Sequence, residues 1–169
     1  MIAIVAINKR GVIGHHGRIP WPKNEEDMRH FVEVTRGARV IFSGRKTWET
    51  LPERAQQRLV KDREVNIIAS TREGYDRALG CYYASPQLAE DMGWTRLHLN
   101  GPRSEVVIGG AQTYALFAPA ITQWLVTELD NDAEGDVTMT RHWEDKSAFG
   151  LYEERAIEGG VIRTYRRWM

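Results

Sequence analysis

A set of short apolar runs, spaced along the whole chain, constrains the fold more than any other feature. IAIVAI (2–7) is almost continuously hydrophobic, and ARVIFS (38–43) reads the same way. A strand with one wet face alternates apolar and polar residues; a strand buried on both faces does not. VNIIAS (65–70), CYYA (81–84), EVVIGG (105–110) and QWLVTEL (123–129) read as further strands. Helical segments lie between them. Residues 24–36 start at Asn24, a good N-cap, carry Glu25 and Glu26 at the positive end of the helix dipole, and stop at Gly37. GRKTWETLP (44–52) turns into a short helix stopped by Pro52, SPQLAEDM (85–92) has a Ser-Pro helix entry, and AQTYALFA (111–118) is stopped by Pro119. NKRGVIGHHGRIPWP (8–22) reads as loop, TREG (71–74) as a polar turn, and ERAQQRLVKDRE (53–64) as a charged, exposed stretch.

Strands that alternate with helices predict a single α/β domain over residues 1–169. Its sheet is expected to be twisted and mainly parallel, of about eight strands, with flanking helices. GLYEERAI (150–157) and GVIRTYRRW (160–168) read as a C-terminal antiparallel hairpin at one edge. In such sheets ligands bind beyond the carboxyl ends of the strands. The loops after residues 7, 43, 69, 108 and 129 are therefore the candidates for function.

Charge excludes some partners. Lys plus Arg number 23 and Asp plus Glu 23, so no global field favours nucleic acid or an anionic membrane. No apolar run approaches the length of a membrane span. MIAIVAIN is too short for the usual signal-peptide layout and has no basic region before it. One cysteine, Cys81, rules out an internal disulfide framework and fits a reducing compartment. The expectation is a cytoplasmic monomer that binds a small molecule.

Three strand-end turns could hold an anion. Gly44-Arg45-Lys46-Thr47 joins a buried strand to a helix, which suits phosphate or an ordinary polar turn; the Walker spacing is absent. Ile108-Gly109-Gly110-Ala111 lets a ligand approach the backbone, although the GxGxxG fingerprint is missing. Ser70-Thr71-Arg72 offers two hydroxyls and a guanidinium. Together, at the ends of neighbouring strands, the three suit a dinucleotide with an extra phosphate. Asp27 admits two readings: a capping-box partner for Asn24, or a pocket carboxylate facing a cationic or amidine-like ligand edge. His15 and His16 lie in the glycine-rich loop with no Cys or acid at ligand spacing, and read as exposed rather than metal-binding.

Taken in order, these pieces resemble the dihydrofolate reductase family. VIGHHGRIPWP (12–22) resembles its first active-site loop, and Asp27 four residues before Phe31 its acid and aromatic pair. GRKTWETLP, VIGGAQTY (107–114) and TELDNDAEGD (127–136) resemble its Gly-Arg-x-Thr-Trp, Ile-Gly-Gly and Gly-Asp segments. The matches recur from residue 2 to about 168.

The resemblance implies NADPH-dependent reduction of 7,8-dihydrofolate to tetrahydrofolate, with no metal. Asp27 would bind the pterin 2-amino group and N3, Thr127 would hydrogen-bond to that carboxylate, and Trp21 would help hold a water beside it. Ile4, Val5 and Ile108 would offer backbone groups around the pterin, while Met28, Phe31 and Leu51 would pack its rings. Arg63 would anchor the substrate carboxylate, with Arg58 as the alternative. Ala6, Ile13 and Gly14 would lie near nicotinamide. Gly44, Arg45, Lys46 and Thr47 would hold phosphates with the backbone of Gly109, Gly110, Ala111 and Gln112. Arg45, Ser70 and Thr71 would recognise the 2′-phosphate, favouring NADPH over NADH. Two residues depart from the pattern: Ser43 stands where Met is usual, and Gln112 where bacterial members often have a basic residue. The alternatives are another pterin or pyrimidine reductase of the same fold, such as that of riboflavin synthesis, a folate- or dinucleotide-binding structural subunit with little turnover, and a purely structural sheet domain.

Overall fold

The alternating sides of each buried strand organise the molecule. The computed structural model describes residues 1–61, 65–70, 73–78, 80–85 and 105–168. In chain order the elements are β1 (Ile2–Asn8), β2 (Val12–Gly14), α1 (Glu25–Arg36), β3 (Val40–Gly44), α2 (Arg45–Thr50), α3 (Glu53–Val60), β4 (Val65–Ala69), β5 (Gly74–Asp76) and β6 (Cys81–Ala84). Then follow β7 (Glu105–Val107), α4 (Ala111–Phe117), β8 (Gln123–Leu129), β9 (Val137–Thr138), β10 (Phe149–Ile157) and β11 (Gly160–Arg167). Among the described residues nine strands form one sheet, ordered β10-β11-β8-β1-β7-β3-β4-β6-β5. The six from β8 to β6 run parallel.

Successive side chains point to opposite faces, so one apolar run feeds two cores. Ala3, Val5 and Ile7 of β1 join Phe42, Val107, Trp124 and Val126 on one face, with Trp143 and Phe117 packed over them. Ile4 joins Ile41, Val106 and Leu125 on the other, beneath Trp48 and Leu59. That explains why the runs do not alternate. Each such side chain contributes roughly 1.5–3 kcal/mol when fully buried.

Both sheet edges are antiparallel. The C-terminal hairpin lies where expected, with β11 paired to β8 and β10 outermost. The far edge carries β5, antiparallel to β6, where part of the segment read as a polar turn supplies the strand. The segment read as loop 8–22 contains β2, which pairs with β9. Strands of two or three residues are set by a distant partner and leave little local pattern. β7 ends at Val107 rather than 110, because Gly109 turns the chain with φ +113°. β3 begins at Val40 rather than 38. The helix expected over 85–92 lies outside the described residues beyond Ser85.

The largest correction concerns residues 53–64. Residues 53–60 form α3, and Leu59 at its inner face is 0% exposed among Ile41, Trp48 and Ile68. Charged neighbours on the outer face masked a narrow apolar stripe. Leu59→Ala is expected to lower stability by about 2–5 kcal/mol in urea melts, as for a packed core leucine. A change within about 0.5 kcal/mol would instead indicate a surface position.

Candidate active site

Two turns meet at the carboxyl ends of β3 and β7. The Gly44 N–H donates to the Gly109 carbonyl. A Cβ on Gly44 would stand 2.7 Å from Thr113 Oγ1, and one on Gly110 would stand 3.0 Å from Thr47 Oγ1. Only glycine lets these backbones approach so closely. The result is a cradle of backbone amides and hydroxyls, with Lys46 and Gln112 exposed and Ala111 half-buried at its rim. Arg45 is half-exposed and pairs with Glu49 one turn on, at 2.9 Å. Ser70, at the end of β4, is buried, and its N–H donates to the Ala84 carbonyl. Thr71 lies outside the described residues.

The carboxylate site is built on α1. Asn24 Oδ1 accepts from the backbone N–H groups of Glu26 and Asp27 at 3.1 and 3.0 Å. Asn24 alone therefore caps the helix. Among the described residues no bond returns from the Asn24 N–H to the Asp27 carboxyl. Asp27 therefore does not close a capping box with Asn24. Asp27 is only 6% exposed. Burial raises its pKa, while the Thr127 hydroxyl and His30 oppose that rise.

Thr127 sits on β8 with Ala6 beside it on β1 and Ile162 on β11, and is 0% exposed. Its Oγ1 lies near enough to favour the Asp27 carboxylate, yet no partner meets full hydrogen-bond geometry. The hydroxyl therefore acts on Asp27 as a nearby dipole.

The other candidates are divided mainly among three apolar clusters. Ile4, Ile108, Phe31 and Leu51 belong to one apolar cluster. Val5 turns its side chain to the opposite core, leaving only its backbone for a ligand. Met28 is half-buried one residue beyond Asp27. Trp21 packs with Val12, Leu129 and Ala6. Ile13 packs against the first core, and Gly14 pairs with Val137. Arg58 donates to Thr35 Oγ1 at 3.1 Å and stands 5.8 Å over the Phe31 ring. Arg63 lies outside the described residues. A separate hollow of about 340 Å³ shares only Trp21 with this set and is rimmed by Glu25, Glu26, Asp130 and Glu158. Three of these acids are paired, Glu25 with Lys23, Glu26 with Arg155 and Asp130 with Lys9.

Sequence reasoning assigned no role to two positioning residues. Tyr114 of α4 is buried and donates its hydroxyl to the Ile4 carbonyl; burial and the nearby Asp27 charge push its pKa up. Asn8 is 0% exposed and ties the start of loop 8–22 down. Its Oδ1 accepts from the Arg10 and Val12 N–H groups, while its Nδ2 donates to the Ala133 carbonyl at 2.9 Å. A polar residue ending an apolar strand was the available signal for Asn8; Tyr114 closes the VIGGAQTY motif of the family resemblance, which gave it no role.

Residues 1–161 match the family model described as dihydrofolate reductase. The dihydrofolate reductase of Mycobacterium tuberculosis is 39% identical over 120 residues, covering 71% of this chain and 65% of the relative. The chain thus spans less than two thirds of that relative's length. The dihydrofolate reductase of Neisseria gonorrhoeae is 31% identical over 170 residues, covering 98% and 95%. The dihydrofolate reductase type 8 of Escherichia coli is 29% identical over 167 residues, covering 96% and 91%.

Because the folded pKa of Asp27 is raised, the folded chain holds that proton to higher pH than the unfolded chain does. Stability from this group is greatest below the ordinary value of 3.8 and falls as pH rises through the raised one. Asp27→Asn is therefore expected to melt higher than the wild type at pH 7. The gap should shrink towards pH 4, as thermal unfolding at both pH values would reveal. A variant that melts lower at pH 7 would contradict a strained carboxylate.

Proposed function

The chain belongs to the dihydrofolate reductase family, and from that premise we propose that it reduces 7,8-dihydrofolate to 5,6,7,8-tetrahydrofolate with NADPH. The observation that carries this reading is the buried Asp27 carboxyl, left free by the Asn24 cap, beside the unmet Thr127 hydroxyl. A pterin presents two parallel N–H donors, at its 2-amino group and N3. A carboxylate accepts both, and charge-assisted bonds of this kind are strong away from water. Such a partner offsets the burial penalty and lets Asp27 ionise.

The residues that would surround the pterin are Ile4, Val5, Met28, Phe31, Leu51, Ile108 and Thr127. Trp21 would help to hold an ordered water by the carboxylate. Arg63, by its position before VNIIAS, and Arg58, whose guanidinium is oriented by Thr35 against Phe31, are the two candidates for the substrate's α-carboxylate.

The glycine cradle fits a dinucleotide. Its backbone groups, Thr47 and Lys46 suit a pyrophosphate, with Gly44, Gly109, Gly110, Ala111 and Gln112 forming its walls. Ala6, Ile13 and Gly14 would lie by the nicotinamide, and Arg45, Ser70 and Thr71 by the 2′-phosphate. When bound, the cofactor supplies the hydride that reaches pterin C6. The chain's own part is to hold the two rings in register and exclude water. Asp27 would sit across the ring from N5. Its charge makes N5 more basic, and water delivers the proton there.

Turnover is followed by loss of the reduced cofactor's absorbance with dihydrofolate present. Asp27→Asn is expected to lower kcat at pH 7 by about 10²–10⁴-fold, with partial recovery in acid, where N5 protonates in solution. Unchanged neutral turnover would remove Asp27 from the reaction. A wild-type protein that binds both ligands without turning over would be a binding subunit instead. Replacing the anchor, by Arg63→Leu or Arg58→Leu, is expected to raise KM for dihydrofolate roughly 10- to 200-fold, the equivalent of one lost charge-assisted bond. The other variant serves as the comparison, and the ranking of the two identifies the anchor. Arg45→Leu is expected to narrow the preference for NADPH over NADH by at least about tenfold; an unaltered preference would take Arg45 out of the phosphate site.

A further inference from the structure

Loop 8–22 has no acid at metal-ligand spacing from its two histidines, but the fold brings one to them. Asp136 stands 120 residues away in sequence and faces both rings. His16 Nδ1 lies 3.4 Å from Asp136 Oδ2, and His15 Nδ1 lies 4.0 Å from Asp136 Oδ1. One potential ligand atom from each of the three lies within 4.8 Å of the others. Adjacent residues usually send their side chains apart. Here His16 adopts φ 47°, and the two imidazole centroids come to 4.0 Å. The nearness of the two loops is built in: a Cβ on Gly135 would overlap Val12 and the Gly14 carbonyl.

We propose that His15, His16 and Asp136 bind one divalent transition-metal ion, of the zinc or nickel kind, which ties loop 8–22 to the segment around residue 136. Two imidazoles and a carboxylate are the borderline donors such ions prefer; calcium and magnesium prefer all-oxygen sites. Three protein ligands leave room for water on the exposed side. Donor atoms each about 2.0–2.2 Å from an ion are at most roughly 4.4 Å apart, and about 3.4 Å apart in a tetrahedral site. His16 and Asp136 already stand at 3.4 Å, and His15 at 4.0 Å from the other carboxylate oxygen turns inward to ligate. The carboxylate is held in place, since the His16 N–H donates to both its oxygens at 3.1 and 3.2 Å. His15 Nδ1 is buried without a hydrogen-bond partner, an uncommon condition that a metal ion would relieve. This inference does not depend on the proposed reaction.

The test uses metal-free full-length protein at pH 7.5, titrated calorimetrically with zinc or nickel chloride and melted with and without each ion. One ion per chain is expected, bound more tightly than about 100 µM, with a rise in melting temperature on saturation. Affinity should fall at pH 5.5, because imidazoles must shed protons to ligate. His15→Gln combined with His16→Gln keeps the backbone contact to Asp136, and the metal-free double variant should melt like the wild type. Its metal affinity should drop at least tenfold, and so should that of Asp136→Asn. Binding as tight in either variant as in the wild type overturns the site, as does the absence of saturable wild-type binding below about 1 mM.

Discussion

Everything in this molecule hangs on a parallel ladder whose inner strands are buried on both faces. Parallel neighbours cannot be joined by tight hairpins, so the chain must cross a face between strands, and helices cover the sheet as a consequence. All six parallel strands then end on the same side. The turns leaving β3 and β7 meet there because their strands are neighbours, and the contact of Gly44 with Gly109 depends on it. The cradle is thus a by-product of strand order sharpened by glycine. Thr127 owes its complete burial to the same ladder, since β1 and β11 enclose it on either side.

Against this apolar scaffold the buried carboxyl of Asp27 is a local cost. Burial opposes its ionisation, and Thr127 and His30 only partly compensate. A chain under pressure for stability alone would have placed an asparagine or a leucine there. The helix does not need Asp27, because Asn24 holds the cap. A strained group with no structural duty is the usual mark of a site kept for a ligand. Tyr114 adds order nearby by fixing the Ile4 carbonyl from a different helix.

Loop 8–22 is restrained rather than free. Asn8 anchors its root, β2 pairs with β9, and Arg141 donates to the Asn8 carbonyl at 3.0 Å. The segment from 131 to 141 therefore acts as a clasp on a loop whose sequence, rich in glycine, reads as unconstrained. Ile13 and Gly14, the residues expected by a nicotinamide, lie inside the clasped stretch.

The sequence by itself determined the strands, most helices and the Asn24 cap, because those signals are local: continuous apolar runs, Pro and Gly stops, and polar caps each act within a few residues. It also determined the family, through motifs that recur in order along the chain. Only the tertiary structure showed that Asp27 is buried while Asn24 caps the helix without it, since burial is a property of what surrounds a residue. The same holds for α3, where a single buried Leu59 outweighs a charged surface, and for β2, β5 and β9, whose pairing partners alone make them strands. The orientation of Arg58 by Thr35 and Phe31 likewise depends on contacts distant in sequence. The meeting of His15 and His16 with Asp136 was invisible in one dimension, because the contact spans 120 residues and no periodicity carries information over that distance.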